Sequence, residues 1–189
     1  MNLLINAVSK QGKLIIFDNK RNLLFQKDLQ VAWNESEKLI WLVDEFLKEN
    51  NLDYKNLENI VVVAGPGSFT GVRTIVLMAN TINFVINKAM TSLSFFDLFS
   101  DYPIVKTSSK RDCFIKKSKD SQIEIMPNTI LEEYLKSNNI SKIYWDFDVL
   151  NFENIEIVEN IDYSDIINKI NLDNKKRIDA LYIKKPNIC

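Results

Sequence analysis

The opening of the chain alternates short apolar stretches with polar turns, a pattern that predicts a β-meander. Residues 3–8, 13–18 and 23–31 are rich in apolar side chains, and the stretches Ser-Lys-Gln-Gly and Asn-Lys-Arg-Asn separate them. Both separators consist of residues that favour turns, so the three stretches are expected to form consecutive antiparallel strands.

A helix is predicted next, over residues 35–49. Asn34 is a suitable N-cap residue, and Glu37 three positions later completes a capping-box pattern. Apolar residues then recur at helical spacing and form a stripe for the core: Leu39, Leu42, Val43 and Phe46. Trp41 stands apart from this stripe, among the charged residues of the polar face.

A buried strand, a glycine loop and a second helix follow. The β-branched run at 60–64 predicts the strand, and apolar residues at helical spacing predict a helix over 72–86. Between them lie Gly65, Pro66, Gly67, Ser68, Phe69, Thr70 and Gly71, which include three of the chain's four glycines. We expect Gly71, at the loop-to-helix junction, to have a positive φ or a close-packed position.

The glycine loop has two interpretations. At a helix N-terminus it would direct main-chain N–H groups outward and suit an anion, whereas a tight turn without a ligand explains the glycines equally well. It is not a Walker loop, because Gly71 is followed by Val72 and Arg73 rather than by lysine and then serine or threonine. The glycine spacing also differs from that of the dinucleotide-binding fingerprint.

The helix predicted after the loop is apolar on two sides. At about 100° per residue, one arc is expected to cover the sheet: Val72, Ile75, Val76, Ala79, Ile82 and Ile86. The opposite side carries Thr74, Leu77, Met78, Thr81, Phe84 and Val85. Together with Trp41, this side predicts a protein interface. The alternative is that the second lobe or a loop covers it as ordinary core.

The order strand, strand, strand, helix, strand, helix is the plan of α/β proteins with the ribonuclease H-like fold, in which helices cover the faces of a mixed sheet. After residue 90 the pattern predicts a short helix at 93–100, strands at 104–106, 113–115, 122–126 and 143–145, and helices at 127–138 and 164–170. No internal repeat is visible. We therefore predict a first lobe over 1–90 and a smaller, reduced second lobe over 91–189.

Composition excludes several kinds of active site. The 189 residues carry a net charge of -1 and include no histidine, which excludes His-dependent triads, His-containing zinc sites and a histidine general base. Cys113 and Cys189 are too few for a disulfide framework and fit a reducing compartment. The N-terminus lacks the features of a signal peptide, and no run approaches the roughly 20 apolar residues of a membrane span, so a soluble, cytoplasmic protein is expected.

The nine residues from Gly65 to Arg73, Gly-Pro-Gly-Ser-Phe-Thr-Gly-Val-Arg, follow a valine-rich strand and lead into an apolar helix. This arrangement closely resembles the signature of the TsaB (YeaZ) family. The resemblance implies an actin-like ATPase (ASKHA) fold and a non-catalytic partner of TsaD in the bacterial complex that makes threonylcarbamoyladenosine (t6A) in tRNA. It also implies no catalytic, metal or cofactor residues in this chain, association with TsaE and with tRNA only through the complex, no membrane association, and the option of a homodimer when TsaD is absent.

Shorter stretches resemble the same family, at residues 34–39, 91–93, 110–114 and 181–186. The chain departs from the family at Glu35, where the family has histidine, and at Asn6, where it has the acidic residue that lies near metal and phosphates in ATP-using relatives. An amide does not supply the charge that a Mg-phosphate site favours. Two rivals remain. One is a stand-alone ATP-dependent transferase or kinase of the same fold, which the absent histidine, Asn6 and the missing Walker lysine disfavour, and the other is a peptidase.

Overall fold

A computed structural model describes residues 1–29, 38–145 and 154–183. These residues form two compact units. Unit 1 consists of Met1–Phe95 and the described part of Tyr163–Cys189, and unit 2 consists of Phe96–Asp162. The predicted helix cap at Asn34 and Glu37 and the family-like residues 184–186 lie outside the described residues.

The sheet of unit 1 begins with the predicted meander. Its strands are β1 (Asn2–Asn6), β2 (Lys13–Phe17), β3 (Leu23–Asp28), β4 (Asn59–Val63) and β5 (Ala89–Leu93). They lie in the order β3-β2-β1-β4-β5. The first three strands pair antiparallel, whereas β1 and β5 both pair parallel with β4. Every residue of β1 and β4 is buried, because these central strands are covered on both faces.

Four α-helices are described. They are α1 (Leu39–Glu49), α2 (Phe69–Ile86), α3 (Asn128–Ser137) and α4 (Tyr163–Lys169). Helix α1 buries Leu39, Val43, Phe46 and Leu47, so the predicted stripe is confirmed except that Leu42 is only half-buried. Helix α2, which contacts β4, buries the expected arc except that Ile86 is only half-buried.

Unit 2 has its own five-stranded sheet and its own core. The strands are β6 (Ile104–Thr107), β7 (Asp112–Lys116), β8 (Glu124–Pro127), β9 (Lys142–Trp145) and β10 (Glu156–Val158). Their order is β10-β9-β6-β7-β8. The core is formed by Val105, Cys113, Ile115, Leu131, Leu135 and Ile143, where two residues of α3 pack on one face of the sheet.

The two sheets share one topology. In unit 2, β6, β7 and β8 form an antiparallel meander, then β9 pairs parallel with β6 and β10 pairs parallel with β9. The same sequence of pairings builds β1 to β5 in unit 1. The same arrangement of strands, a meander followed by two parallel strands, therefore occurs in both units. This repeat is evident from the strand order but not from the amino-acid sequence.

The compact units differ from the predicted lobes at the C-terminal end. The sequence placed everything after residue 90 in a second lobe, whereas the described residues from Tyr163 onward belong to unit 1. Hydrogen bonds explain the difference, because Asn59, Asn80 and Asn83 of unit 1 all donate to main-chain carbonyls in residues 173–178. Strands β5 and β10 were not predicted, and the helix expected at 93–100 is a short 3-10 turn at Phe95–Leu98.

Candidate functional site

The glycine loop is shorter than predicted, because α2 begins at Phe69. Ser68 is the N-cap residue, and its Oγ accepts a hydrogen bond from the Gly71 N–H at 3.1 Å. Phe69, Thr70 and Gly71 thus lie in the first turn of the helix, followed by the exposed Arg73. The expectation of a positive φ at Gly71 is wrong. Of the glycines that the structure describes, Gly65 is the one with a positive φ, 128°.

Position 65 requires glycine because Leu181, from the C-terminal end of the chain, approaches the main chain there. A Cβ at this position would lie 2.6 Å from the main-chain oxygen of Leu181. The Leu181 N–H donates to the Ala64 oxygen at 2.8 Å, and the Phe95 N–H donates to the Gly65 oxygen at 2.7 Å. The Gly65–Pro66 peptide bond is cis. The start of the loop is therefore fixed between the turn that follows β5 and a segment from the C-terminal end of the chain.

Gly67 packs against the helix that it precedes. A Cβ there would lie 2.9 Å from a methyl group of Val72 and 3.5 Å from the Cβ of Val8. The loop glycines thus permit contacts with protein atoms, which supports the interpretation of the loop as a tight strand-to-helix turn.

Asn6, at the end of β1, is fully buried and bonded within the protein. Its Nδ2 donates to the Ser9 Oγ at 2.7 Å and to the Tyr163 Oη at 2.8 Å, and its Oδ1 accepts from the Val8 N–H at 3.2 Å. The Tyr163 hydroxyl donates onward to the Gln11 oxygen at 2.7 Å. Both amide hydrogens are engaged, so Asn6 acts as a structural bridge between β1 and α4.

Groups suited to metal or thiol chemistry are not assembled in the described part of the chain. No cluster of three or more Cys, Asp or Glu side chains within it could hold a metal ion. Burial raises the pKa of the Cys113 thiol to about 11, so this group is a neutral thiol at physiological pH and a poor nucleophile.

The side of α2 that faces away from the sheet is largely exposed. Phe84 is 89% exposed and Leu77 is 62% exposed, and Thr81 and Val85 are exposed beside them. We call these four residues, Leu77, Thr81, Phe84 and Val85, the α2 patch. The hydroxyls of Thr74 and Thr81 donate to main-chain oxygens four residues earlier in the helix, so both hydroxyl hydrogens are used within α2.

Two of the predicted interface residues differ from expectation. Met78 is only 8% exposed and belongs to the core face of α2, where it lies beside Ile82 at the edge of the buried arc. Thr74 is half-buried and lies at the margin of the α2 patch. Trp41 lies on α1 and is 60% exposed, as predicted for a residue on the polar face of that helix.

By length and composition, α2 is also the one helix in the described ranges that could cross a membrane. A core helix of a folded protein passes the same test. The packing of Val72, Ile75 and Ala79 in the interior of unit 1 makes α2 a helix of that folded unit.

Sequence reasoning missed the residues that follow α4. Residues 173–182, which we call the strap, run past β5 and α2 and end at the glycine loop. The Tyr182 ring lies 5.1 Å from the Phe69 ring, between centroids. The signal that could have revealed the strap is the pair Asn80 and Asn83, two amides within an otherwise apolar stretch of helix.

Comparison with solved structures defines the class of fold. The chain matches a crystal structure of a protein with similarity to peptidase YeaZ from Pseudomonas aeruginosa with a TM-score of 0.69 and 10% identity, over 97% of this chain and 99% of that chain. It matches YeaZ from P. aeruginosa with a TM-score of 0.54 and 12% identity, over 67% of this chain and 66% of that chain. The fold is the predicted α/β fold of the ribonuclease H-like, actin-like class.

Within this class, the resemblance to the YeaZ (TsaB) proteins that residues 65–73 indicate is confirmed by both structures. A family model described as TsaD, tRNA N6-adenosine threonylcarbamoyltransferase, matches residues 30–97. Two uncharacterized relatives are similar over almost their whole length. The MG208 homolog of Mycoplasma pneumoniae is 24% identical over 193 residues, and MG208 of Mycoplasma genitalium is 25% identical over 192 residues, each match covering 97% of this chain and 95% of the relative.

Proposed function

We propose that this chain is a non-catalytic scaffold subunit of tRNA threonylcarbamoyladenosine biosynthesis, which forms a one-to-one complex with TsaD and supports its transfer of a threonylcarbamoyl group to tRNA. The YeaZ-like fold and the match of residues 30–97 to the TsaD family model support this proposal. The observation that carries it is the α2 patch, an apolar surface on a helix whose other side is already buried.

The α2 patch has the chemistry of a partner surface. Large apolar side chains are costly to leave in contact with water, and contiguous ones on a folded protein mark interaction sites. Thr74 and Thr81 are small residues, so a partner helix can approach α2 closely beside Leu77 and Phe84. Two helices of about this length offer roughly 800 Å² per partner, the size of a specific interface. We place Trp41 of α1 in the same interface.

The role is non-catalytic because the side chains that ATP chemistry requires are replaced by other residues, and the replacing residues are hydrogen-bonded within the protein. Asn6 stands where a carboxylate would be needed and uses its amide within the protein. The glycine loop lacks a lysine, and its first glycine contacts the strap. In this proposal the chain needs no cofactor, functions in the cytoplasm, associates with TsaE and tRNA through the complex, and can pair with a second copy when TsaD is absent.

A second candidate is a stand-alone ATP-dependent transferase or kinase of the same fold. The description of the matching family model as a transferase favours it. The two functions predict different behaviour towards ATP. The enzyme would bind Mg-ATP tightly and turn it over without a partner, whereas the scaffold subunit would not.

The decisive experiment is co-purification of the chain with TsaD from the same organism. The expected result is a stable one-to-one complex that Phe84→Glu disrupts. Ile130→Glu is the matched control, since Ile130 is an apolar residue of α3 in unit 2 that is also largely exposed. Failure of the unmodified chain to bind TsaD would reject the proposal, and Mg-ATP turnover by the chain alone would support the second candidate. If the Phe84→Glu chain stays folded and still binds TsaD as the Ile130→Glu control does, the interface lies elsewhere.

A further inference from the structure

The strap is held mainly by its main chain. Asn80 of α2 makes two hydrogen bonds to one residue of the strap, because its Nδ2 donates to the Ile178 oxygen at 2.9 Å and its Oδ1 accepts from the Ile178 N–H at 3.1 Å. A primary amide paired in this way satisfies both main-chain groups of a residue whatever its side chain is.

Further contacts of the same kind extend along the strap. Asn83 of α2 donates to the Lys176 oxygen at 2.9 Å, and the Met90 N–H of β5 donates to the Lys175 oxygen at 2.8 Å. At the beginning of the strap, the Asp173 oxygen accepts from Asn59 and the Asp173 N–H donates to the Thr91 hydroxyl, both at 2.9 Å. The side chains of Asn59, Asn80, Asn83 and Thr91 therefore bind the strap together with the outer edge of β5, and we call the surface that they form the groove.

Few side chains of the strap enter this groove. Ile178 is 2% exposed and provides an apolar anchor, whereas Lys175, Lys176, Arg177 and Asp179 are exposed. The Lys176 ammonium donates to the Asn87 oxygen at the C-terminal end of α2 at 3.1 Å, where a cation is favourable. Main-chain hydrogen bonds combined with one or two anchor side chains are the usual way in which proteins bind an extended peptide.

We propose that the groove between α2 and β5 is a binding site for an extended peptide, that its occupant is the chain's own strap, and that the strap can leave and rebind while the rest of unit 1 stays folded. The proposal does not depend on the partnership with TsaD. When the strap is bound, its last contacts are with the glycine loop. The Leu181 N–H donates to the Ala64 oxygen, and the Leu181 main chain lies against Gly65.

The test releases the strap from an intact groove. In the full chain, Ile178→Asp replaces the buried anchor by a carboxylate, and we expect trypsin to cleave after Lys175, Lys176 or Arg177 about tenfold faster than in the unmodified chain, because such cleavage follows the population of the open form. A fluorescent synthetic peptide with the sequence of residues 173–183 should then bind the Ile178→Asp protein and fail to bind the unmodified protein, whose groove is filled.

Two controls give the binding result its meaning. Asp179→Ala changes an exposed side chain of the strap and should leave both trypsin cleavage and the absence of peptide binding unchanged. Ile178→Asp combined with Asn80→Ala should lose at least about tenfold of the peptide affinity, because the groove then lacks its paired amide. A folded Ile178→Asp protein that stays resistant to trypsin, or that does not bind the peptide, overturns the proposal.

Asn80→Ala alone tests the same idea if Ile178→Asp does not fold. The readout is hydrogen exchange at the Leu181 N–H, whose own acceptor, Ala64, is unchanged by the substitution. A strap that opens as a unit predicts faster exchange at Leu181 by about tenfold. Unchanged exchange at Leu181 overturns the proposal, since the two ends of the strap would then open independently.

Discussion

Gly65→Ala is the substitution that most directly tests how the glycine loop is built. The Gly65 φ of 128° lies in a region that L side chains rarely adopt, and the added Cβ would lie 2.6 Å from the Leu181 oxygen. Backbone strain of this kind costs on the order of 1–3 kcal/mol. The clash adds to this cost unless Leu181 moves away, and that movement would break the hydrogen bond from Leu181 to Ala64.

For a chain of this length, about 1 kcal/mol shifts the melting temperature by about 2–4 °C. We therefore expect Gly65→Ala to melt at least about 2 °C, and as much as about 12 °C, below the unmodified chain, from the strain alone. Circular dichroism during a thermal scan measures the shift, and hydrogen exchange at Leu181 reports whether the strap has moved.

Gly71→Ala is the matched control for this experiment. Gly71 is helical, and alanine is favoured over glycine in a helix by up to about 1 kcal/mol. The control should melt at the same temperature as the unmodified chain or slightly above it. Position 65 is not strained if Gly65→Ala melts like the unmodified chain, or if Gly71→Ala is as destabilising as Gly65→Ala.

The remaining predictions concern the α2 patch, Asn6 and acid. Phe84→Glu should change the stability of the isolated chain by no more than about 0.5 kcal/mol, because Phe84 is 89% exposed. In a binding titration it should weaken association with TsaD by more than the roughly 1–3 kcal/mol that loss of the side chain alone costs, because it buries an unpaired carboxylate; a large drop in melting temperature would place Phe84 in the core. Asn6→Asp should lower the melting temperature, since a buried carboxylate cannot donate to Ser9 and Tyr163. Calorimetry should detect no gain in Mg-ATP binding by this variant; a gain would mean that Asn6 suppresses an intact nucleotide site. Hydrogen bonds from Asn22 lower the pKa of Asp18, and those from Asn19 and the N-terminus lower the pKa of Glu58. The stabilisation from these two carboxylates is present above their unfolded pKa values and is lost as the pH falls below about 4. Asp18→Asn should therefore reduce the difference in melting temperature between neutral and acidic buffer, and an unchanged difference would contradict this assignment.

Local patterns predicted most of the secondary structure of this chain. The turn residues between apolar stretches correctly indicated the first meander, and the β-branched run before Gly65 correctly indicated β4. Strand β5 was not predicted because its sequence, Ala-Met-Thr-Ser-Leu, neither alternates between apolar and polar residues nor forms an apolar run. Strand β10 is only three residues long and carries no fully buried residue. The shared topology of the two units was hidden because pairing order is determined by contacts distant in sequence.

The candidate site was less predictable, for physical reasons that differ from residue to residue. Helical spacing correctly placed Phe84 and Leu77 away from the sheet, but it wrongly placed Met78 with them, because Met78 lies at the edge of the apolar arc and its neighbours decide whether it is buried. Glycine clustering suggested a special backbone at Gly71, whereas the strained position is Gly65, and the cause is Leu181, far away in the sequence. The strap itself depends on Asn80 and Asn83 bonding to residues 98 and 93 positions later, respectively. No local pattern encodes such bonds.

The insertion of unit 2 between β5 and α4 has a consequence for the order of events during synthesis. The first 95 residues of unit 1 leave the ribosome before Tyr163 and the strap have been made. During that interval the amides of Asn6, Asn59, Asn80 and Asn83 lack the partners that Tyr163 and the strap provide in the finished protein, and the β5 edge is uncovered. Domains generally fold as they emerge, and unpaired strand edges are prone to aggregation. The nascent N-terminal half is therefore more prone to aggregation than the finished protein, and a ribosome stalled before residue 163 would present an incomplete fold with an open sheet edge.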